Sequence, residues 1–586
     1  MADARRPKRA PRRRLSKALK WLAVAVAVAV VLRLLPVGYG FPAPACFSSD
    51  EVDAVSRALK MASGDLLPLH ASKPTFYNVC VASALGLHYG ALRVFLGETR
   101  SDYERRFFLQ PFSFYAVARV VSVVASVGAL GLLFYSLRRE GNGARLVAVL
   151  VLGFAPASVH FGHVAKEDAL AALLVFGSLV AALEAWGAVD PNGTDPPRRR
   201  YWVSLTLSGL MAGLAVSTKY NCFFAPLIPL MVPLGRRGWR VRAPGVVLSL
   251  SAAAGGFVLG TPYAVAAPAD FVHRTLQSAV AGQVAGQLGY VHNLGKTGGG
   301  FVARLFWNEY GLALVPVGWA LVLLVRGRAG IPPPLVLVPF GAYGLALVFS
   351  GQLDYQYAIV TTPVAAYLFG RVFRLEVVRQ RGASLRGLVL LLLLASVPLH
   401  LYRLIKATAE YLGGDTRVVA ARWIETEAAA GRISSNKPLL IAAPYYFRYH
   451  PDLAFDRATY ERLRDTARAG GAEGGYFQRA ADHADQAQRP TFSADFLPIS
   501  TSFRRMPDGS RQFDPQPFPL DPSHYAGRYS MTVLPAFALR LQQPDLTELK
   551  DLQALLESLS AGEPTVRFAP RAWRLAGPEI RIHPAP

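Results

Sequence analysis

Four short polar stretches interrupt an otherwise apolar chain: "FSSDEV" with Asp50 and Glu51, "HVAKEDAL" with His163, Lys166, Glu167 and Asp168, "STKYN" with Lys219 and Tyr220, and "SGQLDYQY" with Asp354, Tyr355, Gln356 and Tyr357. Each lies at the margin of an apolar run, where an ionisable group is costly unless it is paired or hydrated. Carboxylates and lysines in this setting suit transfer of a group from a lipid-linked donor. A carboxylate removes the proton of an attacking hydroxyl while ammonium groups hold the departing phosphate. Asp50 is the expected base, with Lys219 or Lys166 as the expected partner of the phosphate. Blander roles compete with these. "SSDE" also reads as a helix N-cap with acids in its first turn, and a lysine at a membrane edge can snorkel toward headgroups. For His163 the plain reading is a packed interfacial ring, and for Glu167 a solvated acid at a helix start.

Composition says what must position these groups. The 586 residues are 52% hydrophobic and 17% charged, with mean hydropathy +0.27, too apolar for a soluble chain of this length. A net charge of +24 would suit a nucleic-acid partner, but nine of the first twenty residues are Lys or Arg and an apolar run follows at once. That is the pattern of a cytoplasmic anchor. No clear small-x-small cleavage site follows before further spans, so the first helix is expected to be retained. Apolar runs of spanning length recur near 17–36, 108–136, 145–162, 169–188, 201–217, 221–235, 243–261, 305–325, 332–350, 356–373 and 386–403. The run 75–97 is ambiguous because it also carries His88 and Arg93. If it does not span, the loops 138–145, 190–200, 236–242, 326–328 and 371–386 share the cytoplasmic side and together carry 17 Lys or Arg. The intervening outward loops then carry only Lys166, Lys219, Arg274 and Lys296, with Arg304 at a boundary. Making 75–97 a span would turn the basic side outward, so it reads as an amphipathic or partly embedded helix on the outer face.

The expected layout is a basic cytoplasmic tail at 1–16, a membrane body of eleven spans at 17–403 and an extracytoplasmic soluble domain at 404–586. Within the body, the external loops are 40–106 and 261–304. In the last part, "DTRVVAARWIETEAAAGRI" reads as a helix and "KPLLIAAPYYF" as a short buried strand, which predicts a mixed α/β domain. The aromatic "PYYFRYH" suits packing better than sugar stacking. Cys46, Cys80 and Cys222 give neither a disulfide framework nor a metal cluster. Cys46 and Cys80 share the first outer loop, where a pair or two free thiols would fit, free thiols being the expectation. "GYVHNLGKT" imitates a phosphate-binding P-loop but has five residues between Gly289 and Gly295 where that motif has four.

In order along the chain come a first span, "DE" in a long external loop, "ALKMASGDLLP" and "KPTFYN", then "FAPASVHFGHVAKEDALAALLVF", "GLMAGLAVSTKYN" and "GTPYA". Order and sidedness together resemble the GT-C superfamily of polyprenyl-phosphate-sugar-dependent glycosyltransferases. Within it the resemblance is to family 39, which includes protein O-mannosyltransferases and lipid A aminoarabinose transferases. It covers roughly residues 15–405, with a weaker echo in "DTRVVAARWIE". It implies a mainly α, polytopic GT-C fold with outer-face juxtamembrane helices and a C-terminal mixed α/β extracytoplasmic domain. It also implies Asp50 as catalytic base, Glu51 completing its acidic pair, and Asp168 as the second-loop acid on the acceptor side. His163 matches a His-or-aromatic position and Lys219 a donor-phosphate lysine; Lys166, Tyr220, Tyr355 and Tyr357 join them as substrate-binding candidates. Glu167 stands where many relatives have Pro, and Gln356 stands where relatives place a cation.

The activity so implied is inverting transfer of a monosaccharide from a polyprenyl-phosphate carrier to an acceptor hydroxyl on a protein, lipid or glycan. The setting is the extracytoplasmic face of a plasma (inner) membrane, with the N-terminus cytoplasmic and no nucleic-acid partner. No cofactor is expected; relatives of this kind generally use no catalytic metal, although oligosaccharide-transferring cousins use a divalent ion, which leaves a metal open. Three readings compete. A transporter or flippase for a lipid-linked sugar would need midplane polar groups and internal repeats; the spans are nearly free of charge through the middle and show no repeat. A ligase or polymerase with a diphosphate-linked donor would need more outward cations. A non-catalytic scaffold would leave any activity to the tail, which has no recognisable site. The topology is testable with single cysteines introduced after the natural ones are replaced by serine. Gly382→Cys should react with an impermeant thiol reagent only after permeabilisation, and Asp508→Cys in intact cells; the reverse pattern would overturn the assignment.

Overall fold

In lipid every backbone amide and carbonyl has to be satisfied within the chain, so long apolar runs become helices. The computed structural model of the protein describes residues 17–39, 49–64, 74–188, 199–235, 239–272, 289–290, 298–349, 355–374, 383–413, 415–433, 437–443, 453–469, 475–487, 490–498, 502–505, 511–513, 521–526, 528–535, 550–569 and 579–584. The fold is mainly α with a small mixed sheet near the C-terminus. Helix α1 is Lys17–Leu34, α2 Ser49–Ala62, α3 Phe76–Leu96, α4 Arg100–Leu109, α5 Phe112–Ser136 and α6 Asn142–Phe154. There follow α7 Pro156–His160, α8 Asp168–Gly187, α9 Arg199–Thr218, α10 Leu227–Leu234 and α11 Trp239–Gly260. Later in the chain come α12 Gly298–Tyr310, α13 Leu314–Val325, α14 Pro334–Phe349, α15 Thr362–Arg374 and α16 Ala383–Gly413.

Among the described residues seven helical segments are long and apolar enough to cross a membrane, as an integral multi-pass membrane protein requires. Of the remaining expected spans, 386–403 falls within α16, and the others are helical but shorter or broken. The run 145–162 divides into α6 and α7 at Ala155, whose extended backbone (φ −66°, ψ 119°) is what a following proline favours. The run 356–373 divides into a 3-10 turn, Tyr355–Thr361, and α15.

The ambiguous run 75–97 is a single helix, α3, and it meets the length and hydropathy of a span. Its neighbours show where it goes. At its start, Thr75 donates to the Gly260 carbonyl (2.7 Å), and the Tyr77 hydroxyl contacts Ser122 (2.8 Å) in α5. Further along, His88 meets the Tyr103 hydroxyl (3.1 Å) and lies against Phe114, near the beginning of α5. The helix therefore runs back along the first half of α5 and away from the body. It leaves Leu87, Val94, Phe95 and Leu96 largely exposed, so its far end is an apolar surface. The basic loops gather elsewhere: Arg138 pairs with Glu184 (3.1 Å), and Arg371 pairs with Glu140 and donates to the Gly330 carbonyl (2.9 Å) at the opposite end of the bundle.

Close helix contact comes from small residues. "GLMAG" puts Gly209 and Gly213 one turn apart on α9, facing α11. A Cβ on Gly213 would collide with the Ala253 carbonyl, and one on Gly209 would lie 2.6 Å from Ala252 Cβ. This is the small-xxx-small mode of packing that lets helices approach backbone to backbone where lipid supplies no hydrophobic drive.

After α16, helix α17 (Thr416–Ala429) leads into strand β1 (Leu439–Ala443), as the sequence suggests. Strands β2 (Ala494–Pro498), β3 (Met531–Pro535), β4 (Val566–Phe568) and β5 (Ile580–Pro584) complete a sheet of order β2-β1-β3-β5-β4. The β1 pairings with β2 and β3 are parallel, and those of β5 with β3 and β4 are antiparallel. Helix α18 (Arg457–Ala469) and α19 (Gly475–Ala484) lie between β1 and β2 in the chain. Tyr476 and His483 of α19 pack on Phe108 of α4, which docks this part on the first-loop helices. Among the described residues Cys80 and Cys222 form no disulfide; residues 1–16, Cys46, the bulk of 289–297, Gln352, Asp354 and 444–450 lie outside the described residues. Replacing Gly213 by Ala should lower the melting temperature in detergent, by about 1–3 kcal/mol of stability. An unchanged melting curve would refute the backbone-contact reading.

Candidate active site

Helix α2 is built to hold acids at its start. Val52, Val55 and Ala58 face Tyr77, Val81 and Leu85 of α3, and this packing fixes the first turn, where Asp50 and Glu51 also suit the helix dipole. The two adjacent acids take different surroundings. Glu51 is buried and receives a bidentate contact from Arg119 of α5 (2.7 and 2.9 Å) and the Ala165 amide (3.1 Å). Arg119 also donates to the carbonyls of Val37 (3.0 Å) and Tyr39 (2.7 Å). One ion pair thus joins the exit of α1, the start of α2, the middle of the bundle and the turn before α8. Asp50 stands beside it with its side chain 24% exposed, paired with Lys166.

The turn 161–167 is held from below by Ser122, whose hydroxyl donates to the Lys166 carbonyl (3.1 Å). The Lys166 ammonium stands 5.5 Å over the Phe161 ring. Asp168 opens α8 and is fully buried; it pairs with Lys219, which also lies 3.9 Å from Glu167 and 5.4 Å over the Tyr357 ring. Asp50, Lys166, Asp168 and Lys219, read from three separated stretches of chain, therefore form one string of alternating charge at one end of the bundle. Burial works against the charge on Lys166, and Asp50, Asp168 and Glu167 outweigh it, so the ammonium is held above its usual range. Burial opposes the charge on Lys219 as well, and Asp168 and Glu167 again prevail. Both lysines stay charged at neutral pH. Asp168 Oδ2 has no hydrogen-bond partner among the described residues.

His163 is buried, 5.5 Å from the Tyr411 ring and 5.6 Å from His160, with Nδ1 unpartnered among the described residues. Burial, with His160 and Arg119, drives its pKa well down and keeps it neutral. Tyr220 opens a 3-10 turn directly after Lys219 and is half-buried. Tyr355 sits at the start of the turn that carries Tyr357, its ring 5.6 Å from Phe301. Among the described residues no group of three His, Cys, Asp or Glu could hold a metal ion.

Several contributors lie outside the four motifs. Arg119 and Arg33 are cations within apolar helices, and Glu309 is a buried acid in α12. Tyr411 of α16 bonds His160 (2.7 Å), and the Tyr39 ring packs tilted against Tyr411 at 4.6 Å while its hydroxyl donates to Asp415 at the cap of α17. The signal for the first three was present, since a charge within a span marks a functional or buried-pair position. Tyr39 and Tyr411 carry no comparable mark.

No family model matches the chain, and no curated protein matches it. Among solved structures it is similar to ArnT from Cupriavidus metallidurans bound to undecaprenyl phosphate, at 16% identity and TM-score 0.49, over 96% of this chain and 98% of that one. It is similar to the apo oligosaccharyltransferase of Archaeoglobus fulgidus at 13% identity and TM-score 0.48, over 95% of this chain and 75% of that one. It is also similar to the S. cerevisiae protein O-mannosyltransferase Pmt1-Pmt2 complex bound to the sugar donor, at 16% identity and TM-score 0.31, over 42% of this chain and 34% of that one.

Proposed function

We propose that this protein is a membrane glycosyltransferase of the GT-C type. It transfers a monosaccharide from a polyprenyl-phosphate carrier to an acceptor hydroxyl on the extracytoplasmic side of the membrane. The observation that carries this reading is the string Asp50–Lys166–Asp168–Lys219 at one end of an apolar helix bundle. The resemblance of the motif order to polyprenyl-phosphate-dependent transferases supports it.

In this mechanism Asp50 accepts the proton of the acceptor hydroxyl as its oxygen bonds to the anomeric carbon. The bond from that carbon to the phosphate oxygen breaks, and the carrier phosphate leaves with the electron pair, inverting the centre. Lys166 and Lys219, whose charge burial does not extinguish, neutralise the leaving phosphate. Asp50, paired with Lys166, is the carboxylate placed to act as the base. Glu51 takes a positional role, because both its oxygens are engaged by Arg119 and one also accepts from the Ala165 amide.

The test is incubation of purified protein with a panel of polyprenyl-phosphate monosaccharides and candidate acceptors, measuring release of the carrier phosphate. Release from at least one donor is expected, and Asp50→Asn should lower it about 10²–10⁴-fold, the usual worth of a general base, with little change in melting temperature. Glu51→Gln should instead destabilise the fold, by about 3–5 kcal/mol for one broken partner of a buried pair. Release from no donor, or near-normal turnover by Asp50→Asn, would sink the assignment.

A further inference from the structure

The break between α6 and α7 lies in the interior of the bundle, where the last carbonyls of α6 and the first amides of α7 have no helical partner. Two buried ions fill that need from opposite sides. Arg33 of α1 donates to the carbonyls of Leu152 (3.1 Å) and Gly153 (3.0 Å), and also to Ser126 Oγ (2.6 Å) and the Ala29 carbonyl (2.8 Å). Glu309 of α12 accepts from the amides of Ala157 (2.7 Å) and Ser158 (3.2 Å) and from the Ser158 hydroxyl (2.9 Å), and Thr362 Oγ1 lies 3.0 Å from it. A cation at a helix C-terminus and an anion at a helix N-terminus are each the favoured sign. Arg33 and Glu309 are also near enough to attract one another. The amides of Ala157 and Ser158 and the Ser158 hydroxyl all donate to the Glu309 side chain.

Its two ends lead to the two cations. Ser158 is eight residues ahead of Lys166 in the segment that ends at Asp168, and Thr362 follows the turn whose Tyr357 ring underlies Lys219. We infer that Arg33 and Glu309 are positioning residues, clamping the broken helix to the Tyr355–Thr361 turn so that Lys166 and Lys219 are held at the spacing that receives one phosphate. This rests on the proposed function for the identity of the anion; the clamp itself does not.

The experiment compares wild type with Glu309→Gln, Thr362→Val and a remote core control, Leu335→Ala, which lies at the opposite end of the bundle. Two readouts are taken in detergent: amide exchange along 156–168 without ligand, and affinity for undecaprenyl phosphate. Gln offers one acceptor where two amides need one each. Glu309→Gln should therefore speed exchange across 156–168 alone and weaken carrier-phosphate binding roughly tenfold or more. Thr362→Val removes the link to the second wall, with the Thr362 contacts to the Ala358 carbonyl (3.0 Å) and the Tyr310 hydroxyl (3.3 Å), and leaves the amide contacts of Glu309 in place, so it should weaken binding without faster exchange at Ala157 and Ser158. Leu335→Ala should lower the melting temperature and keep affinity. Wild-type exchange in Glu309→Gln, exchange spread evenly through the bundle, or an affinity loss no greater than that of Leu335→Ala would overturn the clamp. If wild type binds no carrier phosphate the proposed function fails, and the exchange data still decide the clamp by the same criteria.

Discussion

The bidentate pair between Arg119 and Glu51 is the contact on which the candidate site's geometry depends. Removing two ions from water costs several kcal/mol each, and their mutual attraction offsets this only when geometry is good and the spare hydrogen-bonding capacity is used. Here it is used. Arg119 spends its remaining donors on the Val37 and Tyr39 carbonyls, and Glu51 takes the Ala165 amide. The pair consequently binds pieces of chain that are distant in sequence but must be adjacent for chemistry: the exit of α1, the first turn of α2 and the turn before α8. Asp50 precedes Glu51 by one residue, so fixing Glu51 inside fixes Asp50 at the edge, opposite Lys166.

The same accounting of charge runs through the bundle. An apolar interior tolerates an ion where a break in a helix has exposed backbone groups, because those groups carry partial charges that need partners. Arg33 and Glu309 occupy such a break, and each hydrogen bond to a charged group contributes about 1.5–3 kcal/mol, so four contacts apiece offset a desolvation cost of several kcal/mol. Lys219 follows the rule in a different form, with Asp168 beside it and the Tyr357 ring beneath. The charges that span the interior and those that line the site are parts of one arrangement. The interior ones satisfy the backbone groups of the broken helix, and the lysines at the end keep their charge beside Asp50 and Asp168.

Docking of the C-terminal part follows different physics. Aromatic contacts dominate: Phe108 against Tyr476 and His483, and Tyr39 against Tyr411. Rings bury large area with few polar demands, and the Tyr39 hydroxyl finds Asp415. Burial, then Asp415, keeps that phenol protonated, so it serves as a fixed donor between the end of α1 and the start of α17.

Periodicity and composition by themselves determined the helical membrane body, the change of character after residue 403, the helix before the first C-terminal strand and the three polar stretches that hold Asp50, Lys166, Asp168 and Lys219. These were legible because hydropathy is a local property and because an ion at the edge of an apolar run is conspicuous. Only the tertiary structure decided that α3 turns back along the first half of α5, that Asp50 and Glu51 part company, and that Arg33 and Glu309 close a broken helix. It alone ordered the sheet, since β1 pairs with strands roughly fifty and ninety residues away. The reason is common to all four. Which partner a buried charge or an unpaired strand edge finds depends on what the rest of the chain brings beside it, and no window of sequence contains both members of the pair.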